Sequence, residues 1–153
     1  VTGVALPLAL LANGLAAGVL VATVLGVVPF YMTLTAPSYV RAHAFAVGRY
    51  DPFQPACLLV TFVADVLVAA TEPRLAGRVL CAAAALTAGS VVIVSLTRNV
   101  PMNRWVKAQN PDALPAGWDM EAFRRTWARW NRTRTWLAVL ALVLNGSAAV
   151  ALL

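Results

Sequence analysis

The chain has one histidine, His43, and so one side chain whose ordinary pKa suits proton transfer near neutral pH. It lies between Arg41 and Arg49, with Tyr39, Phe45 and Tyr50 nearby in sequence. Two readings stand for it: a general base beside an aromatic site, or a histidine exposed at an interface. Asn99 and Asn103 are four residues apart. On a continuous helix both amides share one face; if the helix breaks at Pro101, Asn99 becomes the N-cap of a new one. Trp127, Asn131, Arg134 and Ala138 also share a face by helical spacing. An aromatic plate, an amide and a guanidinium, with a small residue leaving room beside them, suit a polar aromatic ligand. Arg125, Arg129, Arg132 and Trp136 form a second face, expected to meet lipid or solvent.

The elements that must position these residues follow from composition. Of 153 residues, 61% are hydrophobic and only 12% charged, against about 25% charged in a typical soluble domain. Mean hydropathy is +0.76. A soluble domain this short leaves too much of its chain at the surface to hide that much apolar area. A soluble globular enzyme, a disordered tail and a collagen-like fibre are excluded. Four apolar stretches are long enough, or nearly so, to cross about 30 Å of hydrocarbon: 4–28, about 55–71, 79–97 and about 135–153. They are rich in Ala and Leu without period-2 alternation, so helices are expected rather than a membrane barrel. The expected fold is therefore all-α: a single integral membrane domain, a four-transmembrane-helix bundle with a long, partly helical loop between helices 3 and 4. Pro29 and Pro37 are expected to close the first span, and Pro52 and Pro55 to open the second. Gly117-Trp118-Asp119 opens the last helix with Asp119 as N-cap, and no proline follows it. The first span lacks the basic start of a signal peptide and is longer than its usual apolar region. Since the chain begins with Val1, residues ahead of it are expected to have been removed or left out.

Charge and aromatics are one-sided. No residue before Arg41 is charged, nor any from Thr135 to Leu153. The loops after spans one and three share a side and carry ten of the twelve Lys and Arg residues. By the positive-inside tendency that side is expected to be cytoplasmic, with both termini outside, in the cell's inner or plasma membrane. The basic balance thus points to lipid head groups rather than nucleic acid. All three tyrosines and all five tryptophans fall in or beside the same two loops. An aromatic belt would account for some of them, but belts form at both interfaces. The sharper expectation is a cap over one mouth of the bundle, making a pocket for a flat hydrophobic aromatic molecule.

Asp65 is the one charge inside a span and hence a functional candidate. Lying about 9 Å from the end of its helix, it could instead reach that interface or pair with Arg74 or Arg78. Gly14, Gly18, Ala22 and Gly26 repeat at four-residue spacing. That is a small-residue packing face, within the bundle or across a homo-oligomer. Asn13 and Asn145 are expected to hydrogen-bond across helices. Cys57 and Cys81 fall at opposite ends of neighbouring spans, too far apart for a disulfide. No zinc or iron–sulfur spacing exists, and one histidine excludes a multi-histidine metal site within one protomer.

The segments Asn99-Val100-Pro101-Met102-Asn103, Trp127-Ala128-Arg129-Trp130-Asn131-Arg132-Thr133-Arg134-Thr135 and Tyr50-Asp51-Pro52-Phe53-Gln54-Pro55 resemble the DUF1772, or anthrone oxygenase-like, membrane proteins. The resemblance covers nearly the whole chain through short motifs. It departs at Asn131, where family members often carry a histidine. What it implies is a four-helix membrane oxygenase that turns polyketide anthrones into anthraquinones with molecular oxygen as co-substrate and no other cofactor. An anthrone has an acidic benzylic C–H whose anion reacts with oxygen directly. The protein then needs a base, an oxyanion site and a dry aromatic pocket. On this implication His43 is the base, and Arg134, with Asn99, Asn103 and Asn131, holds the phenolate oxygen. Trp127 and Trp130 stack on the rings, and Asp65 is a further substrate-binding candidate. Two other functions are carried alongside: a non-catalytic membrane scaffold or partner subunit, and a small-molecule transporter. The transporter is disfavoured because only one span holds a charge and no discontinuous helix pair is evident.

Overall fold

The computed structural model describes all 153 residues, Val1–Leu153. Helix α1 runs Thr2–Thr33, α2 Ala36–Tyr50, α3 Phe53–Thr71, α4 Leu75–Lys107 and α5 Met120–Leu152. The four long runs, α1, the α2–α3 run, α4 and α5, are each long and apolar enough to cross a membrane. The crossing part of the α2–α3 run is α3, because α2 mixes polar and apolar residues and stands beyond the apolar slab. Bundle order is α1–α3–α4–α5, closing back on α1, with neighbours antiparallel. α1 and α4 are therefore parallel and diagonal to one another.

The shaft is built on alanine. One cluster at the end opposite the basic loops joins Ala5, Leu6, Ala9, Ala64, Val68, Cys81 and Ala148. Another, at mid-depth, joins Ala16, Ala17, Leu20, Leu58, Val91 and Ala138. Lipid tails give helices no hydrophobic reason to associate, so close approach and dispersion must hold them, and small side chains permit both. The sequence left two places for the Gly14/Gly18 stripe, within the bundle or across a homo-oligomer. In the fold that stripe points away from the bundle, and nothing lies within 4 Å of a side chain added at Gly14, Gly18 or Gly26. Ala138 likewise packs into the shaft rather than leaving room beside a ligand. Gly77 is the glycine that close packing does require: a Cβ there would meet Leu152 at 2.8 Å.

Pro29 behaves differently from expectation, and at Pro101 the continuous helix, one of the two arrangements considered, is the one formed. Pro29 does not end the first helix, and Pro101 does not break the third. Each follows a π-helical turn, Thr23–Val27 in α1 and Ser95–Asn99 in α4. A proline has no N–H and clashes with the carbonyl four residues back. The wider turn ahead of it moves that carbonyl away and lets the helix continue. Both π-turns open with a hydroxyl bonded four residues back, Thr23 to Val19 O at 2.8 Å and Ser95 to Val91 O at 2.7 Å. Both are followed by Val-Pro, at one level on opposite sides of the bundle. Because α4 continues, Asn99 is not an N-cap and makes no capping bond. The long loop is mostly helix: only the stretch 108–119 separates α4 from α5. Gly117, at φ +78°, makes the turn into α5, and Asp119 caps it by accepting from Ala122 N at 2.9 Å. Cys57 and Cys81 are both free thiols.

Arg124 locks α5 to the end of α1. Its buried guanidinium donates to Tyr31 O at 2.6 Å and Leu34 O at 3.0 Å, and pairs with Glu121 at 2.9 Å. A cation on the last carbonyls of a helix satisfies orphan acceptors and opposes the dipole. Replacing it as Arg124→Met should destabilise the protein by about 2–3 kcal/mol, read as a fall in melting temperature with the aromatic near-UV signal losing intensity first.

Candidate active site

At the basic end, residues from all five helices converge. α2 leaves α1 through two extended residues, Leu34 and Thr35, and Pro37 starts it in its first turn. It leads into α3 with the backbone still helical through Asp51 and Pro52, packs beside the end of α4, and buries Tyr39, Val40, His43 and Val47. The tyrosines, His43 and Trp127 pack on one another. Tyr31 stacks on His43 with centroids 5.3 Å apart, and Trp127 lies 4.7 Å from His43. A second group, Trp105, Trp118 and Phe123, plugs the space under the loop. The cap expected from the sequence therefore exists, but most of its aromatics fill one another's space rather than line a large pocket.

Hydrogen bonding fixes the protonation of His43. Trp127 Nε1, which can only donate, gives its proton to Asn103 Oδ1 at 3.0 Å. The same oxygen lies 3.1 Å from His43 Nε2, so that nitrogen must carry a proton. His43 Nδ1 is then the bare lone pair, and it accepts from the Tyr39 hydroxyl at 2.7 Å. The ring is fully buried with no anion beside it, and burial pushes its pKa down to about 4, only partly opposed by the Asn103 bond. His43 is thus a neutral ring with both nitrogens engaged, set behind the wall of the cavity described next.

That cavity, about 40 Å³, opens beside α2 and is lined by Thr23, Val27, Tyr31, Ala46, Val47, Tyr50, Asp51, Gln54, Asn103, Trp127, Asn131 and Arg134. It has room for a water or a dioxygen molecule, not for fused rings. Its polar wall is continuous. Asn131 donates to Trp127 O at 2.9 Å and accepts from Arg134, whose other terminal nitrogen donates to Ser95 Oγ at 3.1 Å. Arg134 Nε and Gln54 Nε2 are buried without a protein partner. Asp51 is the one carboxylate in the wall; burial pushes its pKa up, and Lys107 and Arg134 oppose the shift. It makes no ion pair; the three in the fold are Arg41–Asp112, Arg124–Glu121 and Arg125–Glu121.

Of the residues singled out from sequence, Asn103, Trp127, Asn131 and Arg134 meet in this wall, with His43 directly behind them. Trp130 does not join them: it sits half-buried between the guanidinium groups of Arg98 and Arg129, at 4.9 and 5.5 Å. Asn99 is fully buried, but it is not in the cavity wall and neither of its side-chain polar atoms has a partner. Asp65 is eleven residues along α3 from Gln54, about 16 Å away by helical rise. It is fully buried and reaches neither the interface nor an arginine, accepting instead from Asn145 Nδ2 at 3.3 Å. Arg74 and Arg78 bond backbone carbonyls, Leu152 O and Ala69 O. Asn13 satisfies its amide on α5, donating to Ala138 O at 3.2 Å and accepting from Leu142 N at 2.8 Å. Sequence reasoning passed over Asp51, Gln54 and Tyr31 as site residues. The signal was available for Asp51, the one acid between the basic α2 and the second span.

Asn103 carries two buried N–H donors on one oxygen. Replacing it as Asn103→Leu should cost about 2–5 kcal/mol, since each orphaned donor costs roughly 1–3 kcal/mol. A thermal melt followed by tryptophan emission measures this; a loss below about 1 kcal/mol would mean the amide does not hold the cluster.

The profile of the anthrone oxygenase family matches residues 41–144, from within α2 to deep in α5. No curated protein and no solved structure matches the chain. The match spans about two thirds of the sequence and includes the cavity wall contributed by α2, α3, α4 and α5, though not that of α1. The chain therefore belongs to the anthrone oxygenase family.

Proposed function

We propose that the protein is a membrane-bound oxygenase acting on a flat, phenolic, anthrone-like substrate. The observation that carries the reading is the cavity wall, where one carboxylate faces a buried guanidinium and three amides beside aromatic plates. Asp51 takes the benzylic proton. Arg134 and Asn131 hold the enolate oxygen as charge moves onto it. The carbanion passes one electron to dioxygen, and the radical pair combines to form a C–O bond. The peroxide takes up a proton. Loss of the second benzylic hydrogen then breaks the O–O bond and leaves a ketone and one water. His43 and Tyr39 hold Asn103 and Trp127 in place. A proton reaching His43 would have to pass through Tyr39, because Nδ1 is the free acceptor and it faces that hydroxyl. Dioxygen is the co-substrate, and no further cofactor is proposed. The cavity fits only the oxygen-bearing edge of the substrate or dioxygen itself. α2, joined to α1 by the extended residues Leu34 and Thr35, must move outward to admit fused rings.

Purified protein incubated with an anthrone and oxygen should form quinone faster than the detergent blank. Asp51→Asn and Arg134→Gln should each lower kcat by about 100-fold or more, while Trp130→Phe leaves it nearly unchanged. A rate equal to the blank, or one that both variants retain, removes the reading. A second reading, a scaffold or self-associating subunit, draws on the outward Gly14/Gly18 stripe. It gains if catalysis is absent and Gly14→Leu with Gly18→Leu dissolves a dimer. We also propose that the basic end is cytoplasmic. A reporter fused after Leu153 should then be active only outside, and an inside signal would invert the topology.

A further inference from the structure

The arginine stripe on α5 plays no part in the cavity, yet it borders a furrow that runs down the α1–α5 seam. The upper part, about 570 Å³, lies between Met32 at the end of α1 and Arg125, Arg129 and Arg132 on α5. The lower part, about 310 Å³, is apolar and lies between Val24 and Leu25 on α1 and Trp136 and Val139 on α5. Arg132 borders both, so the two parts are continuous. From Arg125 to Val139 the seam extends about 21 Å by helical rise. Its lower half is bordered by the π-turn Thr23–Val27, which carries Val24 and Leu25; Leu25 is left 74% exposed. Trp136, 73% exposed, stands where the charged stripe gives way to the last apolar span.

Charge decides what such a furrow accepts. Of the six acidic residues, Glu121 and Asp119 lie nearest this face; Glu121 is engaged by Arg124 and Arg125, and Asp119 is taken up by capping α5 at Ala122 N. Arg129 and Arg132 have no carboxylate partner; Arg129 has only the Trp130 ring. Two unneutralised guanidinium groups above an apolar channel, with an indole at the boundary, match a phosphodiester joined to an acyl chain. We propose that the α1–α5 furrow is a specific site for an anionic phospholipid: the phosphate lies under Arg129 and Arg132, and one acyl chain lies along Val24, Leu25 and Val139 against Trp136. The assignment is independent of what the cavity catalyses.

The test uses the full chain in detergent, titrated with phosphatidylglycerol or phosphatidylcholine whose acyl chains carry bromine, which quenches nearby tryptophan. Phosphatidylglycerol should half-saturate at a concentration at least about fivefold lower than phosphatidylcholine, about fivefold being the expected contribution of each arginine. In Arg129→Gln/Arg132→Gln the two lipids should become equivalent, and in Arg129→Lys/Arg132→Lys the preference should persist. In Trp136→Phe most of the lipid-dependent quench should vanish. Equal half-saturation for the two lipids with the unaltered chain overturns the site, as does a preference that survives the glutamine pair. Reversal of phosphatidylglycerol quenching by millimolar inorganic phosphate at constant ionic strength would assign the arginines to a free anion and overturn it too. Should the glutamine pair fail to fold, the lipid comparison on the unaltered chain and on Trp136→Phe still decides.

Discussion

The basic end of the bundle hangs on a single oxygen. Asn103 Oδ1 receives one proton from Trp127 on α5 and one from His43 on α2, and itself belongs to α4. Three helices that also pack one apolar cluster together at this level are tied through one acceptor. Because Trp127 can only donate, the amide cannot turn over, and because the amide cannot turn over, the imidazole has one tautomer. From that follows the acceptance from Tyr39, the stacking of Tyr31 on the ring, and the closed wall behind the cavity. In a region with little access to water, each of these groups would cost several times more unpaired than it contributes paired. Interlocking them is therefore the condition for burying them at all.

Below that network the protein is a plain shaft, and the two regions follow different rules. The shaft coheres by close approach of alanine-faced helices. Its hydroxyls bond back to their own helices, as Thr61 and Thr87 do, and its buried acid and amides reach across, Asp65 to Asn145 and Asn13 to α5, which suits a hydrocarbon surround. The cap coheres by aromatic packing and by guanidinium groups on carbonyls, as Arg124 shows. Arginines on α5 thus divide by face. Arg124 and Arg134 turn inward and are used up by the fold and the cavity, while Arg129 and Arg132 turn outward and have no carboxylate partner.

Much of this was legible in the sequence. Hydropathy gave the four spans, and the 3.6-residue period correctly divided α5 into a buried Trp127–Asn131–Arg134 face and an exposed arginine face. The cap on one mouth was legible in the one-sided aromatics. What stayed hidden had physical causes. Proline rules describe an α-helix, and a π-turn one step earlier removes the clash on which they rest, so Pro29 misled and the outcome at Pro101 stayed open. Small-residue spacing marks a face without saying toward what it points, so whether Gly14 and Gly18 pack inside or between copies stayed open, and it is the alanines that hold the inside. Trp130 shares a segment with Trp127 but sits three residues further round the helix, enough to carry it from the cavity to the arginines. Asp51 lies in a two-residue link whose direction no periodicity describes, and only the fold turns it toward Arg134.

The paired π-turns have a consequence for how cap and shaft are coupled. A π-turn holds one residue more than the α-turn it replaces, and one residue is about 100° of rotation on a helix. The two residues just beyond the prolines, Tyr31 on α1 and Asn103 on α4, owe their inward aim to that added rotation. The turns act as clutches between two registers: below them the helices keep the phase that packs alanine against alanine, and above them the phase that builds the cavity. Each half can then change its sequence without imposing its own periodicity on the other. The membrane-crossing part is left free to drift in length or lipid preference while the chemistry at its mouth stays aligned.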